Sequence, residues 1–146
     1  MLKGINPILS PDLLATLRAM GHGDEIAIVD GNYPALEHGR RLIRLDGMNL
    51  GSVIDAVLSV LPVDDFIEDA LFRSTAGADA SALHAIHHEM LKICKQHAPD
   101  KSVIPLVGEA FYNRVKNCHA IVSTSEPSLY ANLIIRKGVI HPIGEK

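Results

Sequence analysis

With 146 residues and 47% apolar side chains, the chain is long enough for one domain with its own core and too apolar to be disordered. A net charge of −3 excludes recruitment to nucleic acid or to an anionic membrane by bulk electrostatics. No apolar run reaches the roughly 18 residues of a membrane span. The opening Met-Leu-Lys-Gly-Ile-Asn-Pro has no signal-peptide core, and the two cysteines, Cys94 and Cys118, have no CxxC spacing, so a reduced, cytoplasmic protein is expected.

Ser10-Pro11 predicts a helix start, because serine caps orphan N–H groups and proline suits a first turn. Leu13, Leu14, Leu17 and Met20 follow with helical spacing, and Gly21 and Gly23 stop that helix. Glu25 to Asp30 reads as a buried strand and Gly31-Asn32-Tyr33-Pro34 as a loop. Arg41 to Leu45 reads as a short strand, and Val53, Ile54, Val57, Leu58 and Leu61 mark a helix ending near Pro62. Phe66 to Phe72 is read as a strand. Asp79 or Ser81 is expected to cap a helix bearing Leu83, Ile86, Met90, Leu91 and Cys94, with Pro99 beyond its end.

Ser102 to Val107 reads as a strand and Phe111, Val115 and Cys118 as a short helix. Ala120 to Thr124 and Leu133 to Ile135 read as buried, β-branched strands. The alternation argues for a single α/β domain over residues 1–146, in three layers, with a mixed, mostly parallel sheet flanked by helices. Ser125 to Tyr130 is too short for a helical crossover, so the last two strands are expected to pair antiparallel.

Neither a GxGxxG phosphate loop nor a GxSxG elbow is present; Gly21-His22-Gly23 precedes a strand instead of a helix. His84 and His88 are four residues apart and could share a metal on one helix face, although the HExxH order is absent and an exposed polar face explains them equally. His22 stands between glycines, past a helix end and ahead of a buried strand. It is either a polar turn residue or a proton shuttle, the role an imidazole suits near neutral pH. Asp30, at the other end of that strand, is a turn cap or a second functional group. Whether the two share a site depends on the fold. Tyr130 and Asn132 carry donors and acceptors that suit sugar hydroxyls as well as an ordinary turn. Tyr33 is a candidate lining residue in the loop after Asp30.

Several motifs taken in order resemble the L-fucose mutarotases, a family related to D-ribose pyranase. They are Pro11-Asp12-Leu13-Leu14, Met20-Gly21-His22-Gly23-Asp24-Glu25-Ile26, Asp30, Pro34-Ala35, Arg44-Leu45-Asp46-Gly47 and Leu61-Pro62-Val63-Asp64. Phe111-Tyr112, Ala120-Ile121-Val122 and the run from Leu129 to Val139 continue the series. The resemblance covers nearly the whole chain and is thinnest between Arg73 and Lys101. It implies a cofactor-free, metal-free isomerase of the racemase and epimerase class that interconverts anomers and ring forms of a free monosaccharide such as L-fucose. It also implies a homo-oligomer, a pentameric ring or a decamer, with sites at subunit contacts; the charge and apolar pattern already argue against a nucleic-acid or membrane partner. Carried over by motif, His22 is the catalytic proton donor, Asp30 binds sugar, and Tyr130, Ala131 and Asn132 form the sugar-contacting tail. Two positions depart from the pattern. Gly108 stands where fucose-type members carry an arginine, and Ala131 where many carry glycine. Glycine supplies no charged fork of donors, which motivates an alternative, a non-catalytic sugar-binding or transport-associated module.

Overall fold

Among the described residues, which are 1–145, helices and strands alternate along the chain of this computed structural model. In order they are α1 (Pro11–Ala19), β1 (Glu25–Val29), α2 (Ala35–His38), β2 (Leu42–Leu45), α3 (Leu50–Leu58) and β3 (Leu71–Ser74). Then come α4 (Ala85–His97), β4 (Val103–Leu106), α5 (Glu109–Lys116), β5 (Ala120–Thr124) and β6 (Leu133–Arg136). Lys146, the last residue of the expected 1–146 domain, lies outside the described residues.

The strands form one sheet in the order β2-β5-β1-β6-β3-β4. The pairs β1–β5, β2–β5 and β3–β4 are parallel, whereas β6 runs antiparallel between β1 and β3. The sheet is therefore mixed and mostly parallel, as the alternation of strands and helices predicted. Successive side chains alternate across it. On one face Ile26, Ile28, Leu133 and Ile135 meet Leu13, Leu17, Ile54 and Met90 of α1, α3 and α4. On the other, Ala27, Val29, Ile121 and Ile134 meet Phe111, Val115, Tyr33 and Ala35. These are the three expected layers. Ser10 caps α1 by accepting from the Leu13 N–H, and Asn49 caps α3 by accepting from that of Ser52.

The last two strands do not pair with each other. β1 lies between them, and β6 pairs with β1 and β3 instead. The chain after β5 crosses the end of β1, where the Gly31 N–H donates to the Glu126 carbonyl. Two strand spacings are only about 10 Å, a gap that a short loop spans without a helix. This crossing lays Tyr130, Ala131 and Asn132 beside Asp30.

Two boundaries also differ. The strand expected over Phe66 to Phe72 begins at Leu71, because Asp64 to Ala70 form a loop. The fourth helix is capped by His84, not by Asp79 or Ser81. Asp79 Oδ1 is already occupied by the Ser81 N–H and hydroxyl in a local turn. Cys94 and Cys118 are free and buried, and burial pushes each thiol up to about 12, which removes them as nucleophiles.

Candidate functional site

His22 sits in the turn that links α1 to β1, with its side chain 42% exposed. Its Nε2 is 3.0 Å from Oδ1 of Asp64, whose own side chain is fully buried. Asp64 Oδ1 also accepts the Phe66 N–H at 3.0 Å, and Oδ2 accepts Nε of Arg136 at 2.8 Å. Burial would raise the Asp64 pKa, but the hydrogen bonds from Arg136, Phe66 and His22 outweigh it and hold the carboxyl below the usual range. An ionised carboxylate only accepts, so Nε2 of His22 carries the proton in that contact. Nδ1 is left as the exchangeable nitrogen. The Phe66 ring lies 4.9 Å from the imidazole, and His22 lines a groove of about 540 Å³ with Met20, Leu61 and Lys137.

Charge continues inward from this pair. Arg136 lies 4.0 Å from Glu25, its cross-strand neighbour, and Glu25 accepts two bonds from Arg114 of α5. Asp64 was not singled out as chemical from the sequence. The available signal was a carboxylate directly after the apolar helix end at Leu61-Pro62-Val63. Its place is set by a close approach of backbones: a Cβ on Gly138 would stand 2.7 Å from the Val63 carbonyl and 2.8 Å from the Asp64 Cα. Gly138→Ala is therefore expected to cost about 1–3 kcal/mol by overpacking, measured by urea denaturation, and to displace Asp64 from His22.

The second group lies at the other end of β1. Asp30 is 4% exposed. Its Oδ1 accepts the Asn32 N–H at 2.8 Å and its Oδ2 the Ala131 N–H at 3.2 Å, while its own N–H donates to Oδ1 of Asn132 at 2.9 Å. Burial raises the Asp30 pKa against the pull of those hydrogen bonds. Ala131 is fully buried, whereas Tyr130 is 41% exposed and adopts φ 60°, a left-handed conformation. Tyr130 and Asn132 line a cavity of about 360 Å³ shared with Ser74, Thr75, Val107 and Phe111. Asp30 and Ala131 stand behind that wall and brace it. Tyr33 lies outside it, with its hydroxyl 2.8 Å from Nδ1 of His38. Gly108 opens onto the cavity at φ 52° and ψ −121°, and nothing lies within 4 Å of where a Cβ would be. The space would hold a side chain, but that backbone conformation is one that L residues rarely adopt.

Asp30, Tyr130, Ala131 and Asn132 are thus brought together, and His22 is not among them. The five residues of β1 separate His22 from Asp30 by at least ~16 Å at 3.3 Å per residue, too far for one monosaccharide to touch both in a single chain. The histidines of α4 form no metal cluster: His87 is buried and bonded to protein groups, and no three metal-ligating side chains converge among the described residues.

Residues 3–140 match the RbsD / FucU transport protein family. The chain belongs to this family. Among its relatives, a fucose mutarotase of Danio rerio is 37% identical over 97% of this chain and 96% of that protein. An L-fucose mutarotase of Histophilus somni is 35% identical over 95% of this chain and 97% of that one. The fold also matches the crystal structure of the fucose mutarotase of Streptococcus pneumoniae in complex with L-fucose. There the TM-score is 0.88 and the identity 37%, over 96% of this chain and all of that one. The RbsD / FucU match spans both residue groups described above, His22 with Asp64 and Asp30 with Tyr130–Asn132.

Proposed function

We propose that the chain is a monosaccharide mutarotase, a cytoplasmic isomerase that opens and recloses the hemiacetal ring of L-fucose or a similar free sugar without a cofactor. The observation that carries this reading is an exposed imidazole oriented by a buried carboxylate, in a chain 37% identical to a fucose mutarotase along nearly its whole length. The wall of the second cavity supports it further, since Val107 and Phe111 offer an apolar face and Asn132 and Tyr130 offer hydrogen bonds.

The working site forms between copies of the whole 1–146 domain. The His22 end of one protomer closes on the Tyr130–Asn132 end of the next, in a pentameric ring or a decamer of two rings. In its imidazolium form, with Nε2–H kept on Asp64, His22 gives the Nδ1 proton to the ring oxygen while water takes the proton of the anomeric hydroxyl. The bond from C1 to the ring oxygen breaks with its electron pair going to that oxygen, and the anomeric oxygen becomes the aldehyde carbonyl. Rotation about C1–C2 and reclosure, with His22 now taking the proton back, give the other anomer. Asn132, which lines the cavity, fixes the sugar hydroxyls, and Asp30 holds that wall in place from behind. Because the Asp30 oxygens are sealed and occupied, the anomeric hydroxyl faces the Tyr130 phenol and water. Positioned acid–base catalysis supplies roughly 100- to 10,000-fold, which is sufficient for a ring opening that water already permits.

Exchange NMR on L-fucose, D-ribose and D-galactose tests the activity; exchange no faster than in buffer for every sugar overturns it. The shared site has its own test. Mixing His22→Ala protomers with Tyr130→Phe protomers, after reversible dissociation, is expected to restore part of the exchange rate that each variant lacks alone. No recovery in confirmed mixed assemblies rules out a site split between copies.

A further inference from the structure

His87 is the one histidine of the α4 cluster that is fully buried; its ring meets the Tyr130 carbonyl and does not line the cavity. Its Nδ1 accepts the N–H of His84, the helix cap, at 3.0 Å. A backbone N–H only donates, so Nδ1 is the bare nitrogen and the ring proton sits on Nε2. Nε2 lies 2.9 Å from the Tyr130 carbonyl oxygen and donates to it. Ser74 Oγ donates to the same oxygen at 2.8 Å and accepts from Nδ2 of Asn132 at 3.1 Å. On the far side of that peptide the Ala131 N–H donates to Asp30. The peptide unit between Tyr130 and Ala131 is therefore held at both its oxygen and its nitrogen.

That grip falls where the backbone needs it. A tyrosine at φ 60° costs energy that its surroundings must supply. Burial first, and then the nearby Arg73 charge, keep the His87 pKa below its ordinary value against the pull of the Tyr130 carbonyl. The ring is thus neutral, as a group that both donates and accepts must be.

Resting on the mutarotase reading, we propose that His87 is a positioning residue for the sugar site. It relays the start of α4 to the Tyr130 carbonyl and so fixes the phenol at the cavity rim.

Glutamine is the conservative probe, because its amide also carries one acceptor and one donor in a fixed spacing. His87→Leu keeps the apolar bulk and removes both bonds. In His87→Leu, anomer exchange is expected to fall by roughly 10- to 100-fold, the cost of misplacing a contact group by about 1 Å. The loss should appear in KM and kcat together, with the assembly intact by light scattering. His87→Gln is expected to recover most of it. The backbone amide signals of Tyr130 and Ala131 should move or broaden in His87→Leu and return in His87→Gln, with no sugar present.

Equal losses in both variants, or unmoved amide signals with full exchange in His87→Leu, would overturn the proposal. A wild-type protein without exchange overturns the mutarotase reading instead. The amide signals then still report whether His87 holds the segment.

Discussion

Replacing His22 with alanine is expected to slow anomer exchange by roughly 100- to 10,000-fold, the range that a positioned proton donor supplies. The ring is 42% exposed, and Asp64 keeps Arg136 and the Phe66 N–H when it is gone, so thermal stability should change little. Activity and stability then separate cleanly. Exchange NMR gives the first and a melting curve the second. A variant that is fully active removes His22 from the mechanism, and one that is unfolded removes it from the list of accessible groups.

Asp64→Ala should do the opposite and damage both. Removing a buried carboxylate from an ion pair takes away the hydrogen-bonded match of the partner charge, here leaving Arg136, among the described residues, only Glu25 at 4.0 Å, and such losses run to about 3–5 kcal/mol. Arg136 is 29% exposed, so water recovers part of that energy and a cost of about 2–3 kcal/mol is expected. Exchange should fall too, since nothing then holds Nε2 of His22. The sign of the pH dependence follows from the lowered pKa of Asp64. Below the ordinary aspartate value of about 3.9 the unfolded chain binds the proton first, so the contribution is complete above that pH. It disappears as the pH falls through the lower native value. Denaturant titrations at neutral pH should therefore separate wild type from Asp64→Ala, and titrations in strong acid should bring them together. A gap that persists in acid would show that packing, not charge, is what Asp64 contributes.

Much of this architecture was legible in the residues. The periodicity of α1 and α3, the β-branched runs of β1 and β5, and the glycine-framed His22 each place an element by local rules. What could not be read was how the elements meet. Loop length suggested that β6 would sit next to β5, yet length only limits reach, and β6 gained two buried neighbours by entering between β1 and β3. The start of α4 was misplaced because Asp79 and Ser81, good capping residues, satisfy each other in a turn. A histidine took the cap. The motif resemblance named His22, Asp30, Tyr130, Ala131 and Asn132. It could not reveal that β1 sets His22 apart from the others. Ser74 and His87 were invisible as supports, because their contacts with Tyr130 cross 56 and 43 residues of sequence.

In the proposed ring, the length of β1 also governs how damage spreads. A copy that brings its imidazole to one neighbour and its tail segment to the other takes part in two catalytic centres. A single copy defective at both ends would silence two centres while filling one place in the ring. Mutations of that kind would act dominantly in mixed populations, with losses exceeding the fraction of defective subunits.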